Sequence, residues 1–208
     1  MRKAIAVLAL AASAPLVASA VQELPGQPDA SRVTAGTYTA DPSHALIEWE
    51  VDHFGFNDYF GLFGDVAGTL TIDPANLGAA KVDVTIPVSK VVTASAGLTD
   101  HLLRAGKDGG KPDFFGPNPA DARFVSTAVK VNGTEAEVTG NLTLNGVTRP
   151  VTLEAEFVGA GTNPMNKKAT VGFHGETEIK RSDFGIAYAL PMVSDEVELD
   201  ISIAFEKN

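Results

Sequence analysis

The stretch TEAEVTGNLTLNGVTRPVTLEAEFVG, residues 134–159, alternates apolar and polar side chains on both sides of an Asn-Gly pair. Alternation with a period of two is typical of a β-strand that buries one face and exposes the other. Asn-Gly between two such runs is the strongest short signal for a tight turn, so the sequence predicts a β-hairpin that turns at Asn145-Gly146. The side chains that we expect to point inward are Ala136, Val138, Gly140, Leu142, Leu144, Val147, Val151, Leu153, Ala155 and Phe157.

The same alternation recurs through most of the chain from residue 36 onward, which gives eight or nine strands in total. Besides the hairpin, it covers residues 36–40, 45–53, 66–72, 79–88, 121–132, 169–180 and 195–206. An antiparallel sheet of this size tends to close on itself, because closure removes the exposed edges. We therefore predict an all-β fold, a single extended antiparallel eight-stranded barrel with short helical segments. A two-sheet sandwich is the alternative.

Two segments interrupt the alternation and carry large apolar side chains. The first, VDHFGFNDYFGLFGDVAG, spans residues 51–68; the second spans residues 94–120, where residues 99–104 favour one or two helical turns. Exposed loops rarely hold so many rings, so these segments either plug the barrel ends as core or line the mouth of a pocket. The side chains concerned are Phe54, Phe56, Tyr59, Phe60, Phe63, Leu98, Leu102, Leu103, Phe114 and Phe115.

The predicted inward faces favour a ligand over a solid interior. Ala45, Gly140, Ala155 and Gly175 are small, and about eight strands make a lumen just wide enough for one slender ligand. Apolar side chains desolvate a ligand but transfer no proton to it. Each buried methylene contributes ~0.8 kcal/mol, so a chain of about twenty carbons gains ~16 kcal/mol against an association cost of ~4 to 15 kcal/mol. The expected ligand is long and apolar.

The N-terminus is typical of an export signal. Arg2 and Lys3 precede an apolar run over residues 4–17, and Ala18-Ser19-Ala20 matches the small-x-small cleavage pattern. We predict a signal peptide over residues 1–20, cleaved after Ala20, and a periplasmic or secreted protein; a retained anchor is the alternative. Residues 21–35 have no hydrophobic period and are expected to be a flexible lead-in outside the fold, which leaves residues 36–208 as the barrel domain.

Charge and cysteine content exclude several classes of function. The formal net charge of -10 argues against nucleic acid or an anionic membrane surface as the main partner. The chain has no cysteine, which removes disulfides, thiolate nucleophiles and thiolate zinc ligands.

The four histidines give no convincing metal or catalytic motif. Asp41 and His44 have the spacing of half a metal site, although an Asp before Pro42 more often closes a turn. His44 and His53 are an odd number of positions apart and face opposite sides of a regular strand, and we expect His174 to lie outside the barrel. We predict no metal, no cofactor other than a bound lipid, and no catalytic residue.

Asp100-His101, with Arg104 nearby, is the most chemically suggestive cluster in the sequence. It lies in the irregular second segment beside two leucines, where it would place polar groups at a pocket mouth. A local salt bridge with hydrogen bonds at a helix end explains the same residues equally well.

Short motifs along the chain resemble those of the YceI-like family. In order they are YTADPSH (38–44), HFG (53–55), GLFG (61–64), DFF (113–115), RFVS (123–126), GNLTLNGVTRPV (140–151) and RSDFGI (181–186). The resemblance runs from about residue 36 to residue 206 and implies an exported protein with a lipocalin-like barrel that binds polyisoprenoid or similar amphiphilic lipids. The chain departs from the family pattern at Thr99, where an acidic residue is usual, and at residues 104–111, which separate the His-Leu pair from Asp113.

Together these observations predict a non-enzymatic carrier or storage protein, monomeric or dimeric, for a polyisoprenoid, an isoprenoid quinone or a similar lipid, with a membrane as candidate donor or acceptor. The alternatives are a lipid hydrolase or isomerase that uses His101 with Asp100, and a secreted stress or interaction protein with a solid barrel. The expected head-group contacts are His101, Arg104 and Arg181. The expected tunnel lining is Ile47, Trp49, Val51, Phe54, Phe56, Phe60, Phe63, Leu102, Phe114, Phe115, Leu142, Leu153, Phe173 and Phe184.

Overall fold

A computed structural model describes residues 23–208, so the predicted signal peptide lies outside the described residues. Ten strands and one α-helix make up the regular structure, with short 3-10 turns in the connections. The strands are β1 (Gly36–Ala40), β2 (Leu46–His53), β3 (Asn57–Phe63), β4 (Ala67–Ile72), β5 (Lys81–Ile86), β6 (Ala122–Asn132), β7 (Glu135–Leu144), β8 (Val147–Thr162), β9 (Ala169–Lys180) and β10 (Glu196–Lys207); the helix is α1 (Ala96–Leu103). Within residues 23–208 no helix is long and apolar enough to cross a membrane.

The sheet closes into the predicted eight-stranded barrel. The neighbouring strands run in the order β1-β4-β5-β6-β7-β8-β9-β10, and β10 pairs with β1 to complete the ring. Every pairing is antiparallel, as expected for strands joined mostly by short turns. The predicted hairpin is β7–β8, and both of its turn residues, Asn145 and Gly146, have the positive φ that this kind of turn requires.

The two remaining strands, β2 and β3, extend the barrel wall at one end. β10 pairs with β1 through Phe205–Lys207 and with β2 through Glu198–Ser202, so β1 and β2 lie end to end along one edge of β10. β4 and β3 also lie end to end, because β4 pairs with β1 and β3 pairs with β2. Within the described residues, the free edge of β3 forms one backbone bridge, between Leu62 and Val92.

The two ends of the barrel therefore differ. We call the end with the β2–β3 turn (54–56) the open end; it also carries the connections 87–121 and 181–195. The opposite end, with the turns 73–80, 133–134 and 163–168, is the closed end. Its interior is filled by buried side chains, among them Tyr38, Leu70, Ile72, Val171 and Phe205.

Part of the predicted lead-in packs against the barrel, so the expectation that residues 21–35 lie outside the fold does not hold for the part with Gln27 and Val33; residues 21 and 22 lie outside the described residues. The backbones of Gln27 and Ala160 form two hydrogen bonds, of 3.0 and 2.9 Å, and Val33 packs on the core. The cause lies in β8, whose sixteen residues extend beyond the ten of β7 and leave a free edge. Gln27 pairs with that edge, which would otherwise be exposed.

Candidate functional site

A cavity of about 680 Å³ occupies the open end of the barrel. Its wall has three parts: the inner face of the β2–β3 hairpin, the connection 87–121 that includes α1, and the connection 181–195. The ends of β5, β6, β7, β9 and β10 form its floor through Ile86, Ala122, Leu142, Leu144, Ile179, Val197 and Leu199. The lining is overwhelmingly apolar, as expected for a site that binds an apolar molecule.

The β2–β3 hairpin provides the first wall because its inward positions, except Gly61, carry large or amphipathic side chains. Ile47, Trp49, Val51 and His53 alternate along β2, and their β3 partners Phe63, Gly61, Tyr59 and Asn57 face the same way. Trp49 can lie flat against β3 only because residue 61 is glycine: a Cβ there would be 2.5 Å from the Cζ2 atom of Trp49. Seven of these eight positions therefore contribute side chains to the lining, which are Ile47, Trp49, Val51, His53, Asn57, Tyr59 and Phe63.

The connection 87–121 covers the gap beside the free edge of β3. Leu62 and Val92 exchange two backbone hydrogen bonds of 2.9 Å, which anchor the start of the segment. The amides of Phe115 and Gly116 donate to the carbonyl of Leu102 at 3.0 and 3.3 Å, which fold its second half onto α1. This arrangement directs Val88, Thr93, Leu98, His101, Leu102, Phe114 and Phe115 into the cavity.

A polar cluster lies at the edge of the cavity. Nε2 of His101 and Nη2 of Arg104 each lie 2.8 Å from Oδ2 of Asp113. The hydrogen bonds from Arg104 and then from His101 lower the pKa of Asp113. The His101 ring also packs edge-on against Phe114 and Tyr188, with centroid distances of 5.2 and 5.4 Å.

The partner of His101 is therefore Asp113 and not Asp100, which corrects the pairing on which the enzymatic alternative rests. Asp113 is twelve residues from His101 in sequence, and the folded connection between them brings it close. Arg104 is outside the cavity lining, because its guanidinium turns toward Asp113. Among the cluster, His101 alone lines the cavity as expected for a head-group contact.

Arg181 lines the cavity but its hydrogen-bond donors are directed elsewhere. Nε donates to the carbonyl of Ser194 at 2.7 Å, Nη1 to those of Ile186 and Tyr188 at 3.1 and 2.8 Å, and Nη2 to that of Val193 at 2.8 Å. Burial lowers the pKa of this guanidinium. Four of its five N–H groups thus hold the connection 181–195 in shape, and its contact with a head group stays a prediction.

Two buried polar atoms in the cavity wall, Nε1 of Trp49 and Oη of Tyr59, have no hydrogen-bond partner among the residues that the structure describes. The two rings are neighbours, with centroids 6.4 Å apart. A buried donor without a partner carries the full cost of its desolvation, about 1–3 kcal/mol. The first wall is thus less stable than its apolar packing alone would make it.

Most of the predicted tunnel lining does line the cavity, and contact with a ligand stays a prediction. The side chains found there are Ile47, Trp49, Val51, Phe54, Phe63, Leu102, Phe114, Phe115 and Leu142. Phe60 is outside, because it is three positions from Phe63 on a regular strand and so faces solvent opposite Glu50. Phe56 is 87% exposed at the tip of the β2–β3 turn.

The other three predicted lining residues belong to the packed core. Phe173 packs against Phe157 and Phe205 in the closed end, with ring centroids 5.9 and 6.5 Å apart. Leu153 packs in the same cluster, and Phe184 is buried with Ile179 and Val197. The small residue Gly140 makes no room for a ligand either, because the ring of Phe124 lies directly over it.

The predicted lining omits several groups of residues. The floor residues Ile86, Ala122, Leu144, Ile179, Val197 and Leu199 are one of them. His53 and Tyr59 could have been found by extending the period of two through β2 and β3. Residues 186–193 have no period and gave no signal, yet Ile186, Tyr188, Ala189, Met192 and Val193 all line the cavity.

The structure also decides between the barrel, the solid barrel and the sandwich, and it shows where His44 and His174 lie. The cavity contradicts the solid-barrel alternative, and the closed ring contradicts the sandwich. Nδ1 of His44 lies 2.7 Å from Oδ2 of Asp41 within a turn, and His174 is exposed. No group of three or more His, Cys, Asp or Glu side chains in residues 23–208 is arranged to hold a metal ion.

The outer face of β8, β9, β10 and β2 is strongly acidic and contrasts with the cavity. Carboxylates lie directly opposite one another across the strands, as in the row Glu48, Asp200, Glu176 and Glu154. Burial, then the charges of Asp58, Glu198 and Glu48, raise the pKa of Glu50. This face carries much of the negative charge of the chain.

Comparison with known proteins gives one consistent family. The model of the YceI-like domain matches residues 38–205. A UPF0312 protein of Pseudomonas paraeruginosa is 43% identical over 178 residues, which are 84% of this chain and 88% of that protein. Protein YceI of Escherichia coli O157:H7 is 41% identical over 179 residues, with the same coverage of 84% and 88%.

Solved structures share the fold. BcnA of Burkholderia cenocepacia superposes with a TM-score of 0.64 at 24% identity, over 79% of this chain and 98% of that one. A polyisoprenoid binding domain from Saccharophagus degradans superposes with a TM-score of 0.54 at 14% identity, over 82% of this chain and 98% of that domain.

Proposed function

We propose that this chain, which belongs to the YceI-like family, is an exported carrier or storage protein that binds a long apolar amphiphile in the cavity of the open end. The observation that carries the proposal is the cavity of about 680 Å³ with an almost wholly apolar wall. Pockets for small molecules occupy ~300–1,000 Å³, so the volume suits a lipid tail. Each methylene that enters contributes ~0.8 kcal/mol, which favours a long chain over a short one.

A polyisoprenoid or an isoprenoid quinone is the ligand class to test first. The domain from Saccharophagus degradans that shares this fold is described as polyisoprenoid binding, which supports the choice. His101 is the polar side chain best placed to meet a head group, since it lines the cavity beside Asp113 and Arg104. The expected complex has its tail against the floor and its head group near α1.

We assign binding rather than turnover to this cavity. Nε2 of His101 is directed to the carboxylate of Asp113. The same carboxylate receives a hydrogen bond from Arg104. That cluster is an ion-pair network, and such a network fixes the position of α1 against the connection 104–121.

The direct test is to purify the exported protein without detergent, extract it with organic solvent and identify the extract by mass spectrometry. We expect a lipid with a long apolar tail in near-stoichiometric amount. Protein that yields no lipid and also takes up no fluorescent lipid probe would contradict the proposal.

A pair of variants on one strand ties binding to the cavity. Val51→Trp adds a large ring on the inner face of β2 and should abolish lipid retention by occupying the cavity. Leu46→Trp adds the same ring on the outer face of the same strand, where residue 46 is exposed, and should leave retention unchanged. Equal retention by the two variants would place the lipid elsewhere.

A further inference from the structure

The rim of the cavity exposes apolar side chains to solvent. Phe54, Leu98, Tyr188 and Met192 are exposed and at the same time line the cavity. Phe56, in the same turn as Phe54, is 87% exposed. An apolar surface thus runs without interruption from the cavity to the outside of the molecule, and such exposed patches mark interaction sites.

The rim is built from two segments that are joined through their backbones. The amide of Phe54 donates to the carbonyl of Met192 at 2.7 Å, and His53 forms an antiparallel bridge with Val193. The turn is fixed further by the amide of Gly55, which donates to Oδ1 of Asp52 at 2.7 Å. We call residues 53–57 and 186–193 together the lip. The lip presents Phe56 on a defined turn, while the ring itself makes little contact with the protein.

The lip carries no formal charge. Its sequences are HFGFN and IAYALPMV, without Asp, Glu, Lys or Arg, in a chain of which 20% is charged. Several carboxylates are gathered on the outer face of β8, β9, β10 and β2, at Glu48, Glu154, Glu176 and Asp200 among others. This distribution separates the uncharged lip, which exposed Asp52 and Asp58 flank, from an acidic side wall.

The chemistry of the cargo requires a route that avoids water, an argument that rests on the function proposed above. Each methylene lowers the equilibrium constant for transfer of the tail from an apolar phase into water by roughly fourfold. Passage of a tail of about twenty carbons through water is therefore disfavoured by many orders of magnitude. A mouth that touches a bilayer removes this barrier, because the tail then passes between two apolar phases. A protruding aromatic side chain at the tip of a turn without formal charge is suited to the membrane interface.

We propose that the lip docks onto the surface of a lipid bilayer, with the Phe56 ring inserted among the lipids and the cavity mouth facing the membrane. The contact is apolar and needs no anionic lipid. The acidic side wall disfavours an anionic surface, so binding to zwitterionic vesicles should be equal to or stronger than binding to anionic ones.

The test compares two variants with matched exposure at opposite ends of the barrel. Phe56→Ser removes the ring from the lip, and Met165→Ser removes a side chain that is 88% exposed in the turn 163–168 of the closed end. Vesicles of phosphatidylcholine, and of an equal mixture with phosphatidylglycerol, are floated with each protein. We expect wild type and Met165→Ser to float alike and Phe56→Ser to partition roughly tenfold less, near the low end for burying a phenylalanine side chain.

Wild-type protein that floats with neither vesicle would overturn the proposal, as would equal losses in the two variants. Sedimentation of the proteins without vesicles tests whether the lip binds a second copy of the chain instead. A wild-type protein that dimerises but does not bind vesicles, together with a monomeric Phe56→Ser variant, would assign the lip to that second copy. The side chains of Phe56 and Met165 are both highly exposed, so the melting temperature of each variant should stay within about 2 °C of that of wild type.

Lipid retention separates this proposal from the function on which it rests. Phe56→Ser should keep its co-purified lipid, because the Phe56 side chain does not line the cavity, while it exchanges that lipid with vesicles more slowly. Wild type that floats through Phe56 but never contains lipid would contradict the carrier function alone. Wild type that contains lipid but does not bind vesicles would contradict docking alone.

Discussion

Gly61→Ala is the substitution that tests most directly how the cavity wall is built. A Cβ at residue 61 would lie 2.5 Å from Cζ2 and 2.8 Å from Cε2 of Trp49, and 2.6 Å from the carbonyl oxygen of Val92. Carbon atoms pack at about 3.5–4.0 Å, so the indole must move by about 1 Å, and β3 must also shift away from the carbonyl of Val92. Neither neighbour is a flexible chain end that yields at little cost.

Both responses carry a cost that can be bounded. Overpacking of this kind costs about 1–3 kcal/mol. Separation from Val92 would break two backbone hydrogen bonds with Leu62, each worth about 0.5–1.5 kcal/mol net. We expect the free energy of unfolding to fall by about 2 kcal/mol, and a shifted indole to enter the cavity and weaken lipid retention.

Urea denaturation measures the stability, and fluorescence reports the ring, because Trp49 is the single tryptophan of the chain. Gly64→Ala is the control: its Cβ would meet only Cδ2 of Leu46, at 3.8 Å, which is an ordinary contact, so its stability should change by less than about 0.5 kcal/mol. A Gly61→Ala protein as stable as the control, with an unchanged emission spectrum, would refute this account of the wall.

Three further substitutions test other parts of the structure. Tyr59→Phe should raise the free energy of unfolding of the lipid-free protein by about 1 kcal/mol in urea denaturation, because it removes a buried hydroxyl without a partner; a loss of stability would mean that the hydroxyl is bonded. Arg181→Leu leaves four carbonyls of the connection 181–195 without their donor and should cost about 3 kcal/mol, with faster proteolytic cleavage there than in wild type. The raised pKa of Glu50 means that the folded state binds more protons than the unfolded state just above the ordinary pKa of 4.5, so stability falls as pH rises through that window. Glu50→Gln should therefore melt higher than wild type at pH 7 but not at pH 3, and an advantage that persists at pH 3 would count against this explanation.

Periodicity predicted the barrel well because each strand of the ring has one face in the interior, and β6 to β10 are ten residues or longer. The same rule placed Ile47, Trp49 and Val51 on the inner face of β2, where the structure has them. The same rule places Phe60 on the outer face once residues 57–63 form a strand. The sequence instead suggests a turn-rich segment there. The glycines in that stretch obscured the period, although Gly61 is there to accommodate the ring of Trp49.

The connections were much harder to predict, because their side chains are positioned by contacts distant in sequence. Asp113 is brought to His101 by a loop that has no period of its own, and residues 186–193 are held by the guanidinium of Arg181. Ring content identified Phe114 and Phe115 as lining, but no local pattern distinguishes them from Phe184, which is buried in the core. Sequence thus predicts which residues are apolar in a connection and not which way they face.

The hollow at the open end arises from the geometry of the strands and not from small side chains in the lumen. Between the pairs Ala40–Phe205 and Leu46–Ser202, the five residues 41–45 lie opposite only two residues of β10, Ile203 and Ala204. These extra residues separate β1 from β2, and β3, unlike β4, does not pair with β5, so the wall opens at that level. At the closed end β1 stays paired with both β4 and β10, and the interior is filled by Tyr38, Phe173 and Phe205. Cavity volume should therefore respond to changes in residues 41–45 and 64–66 more than to enlarging Gly140, whose space the ring of Phe124 already fills.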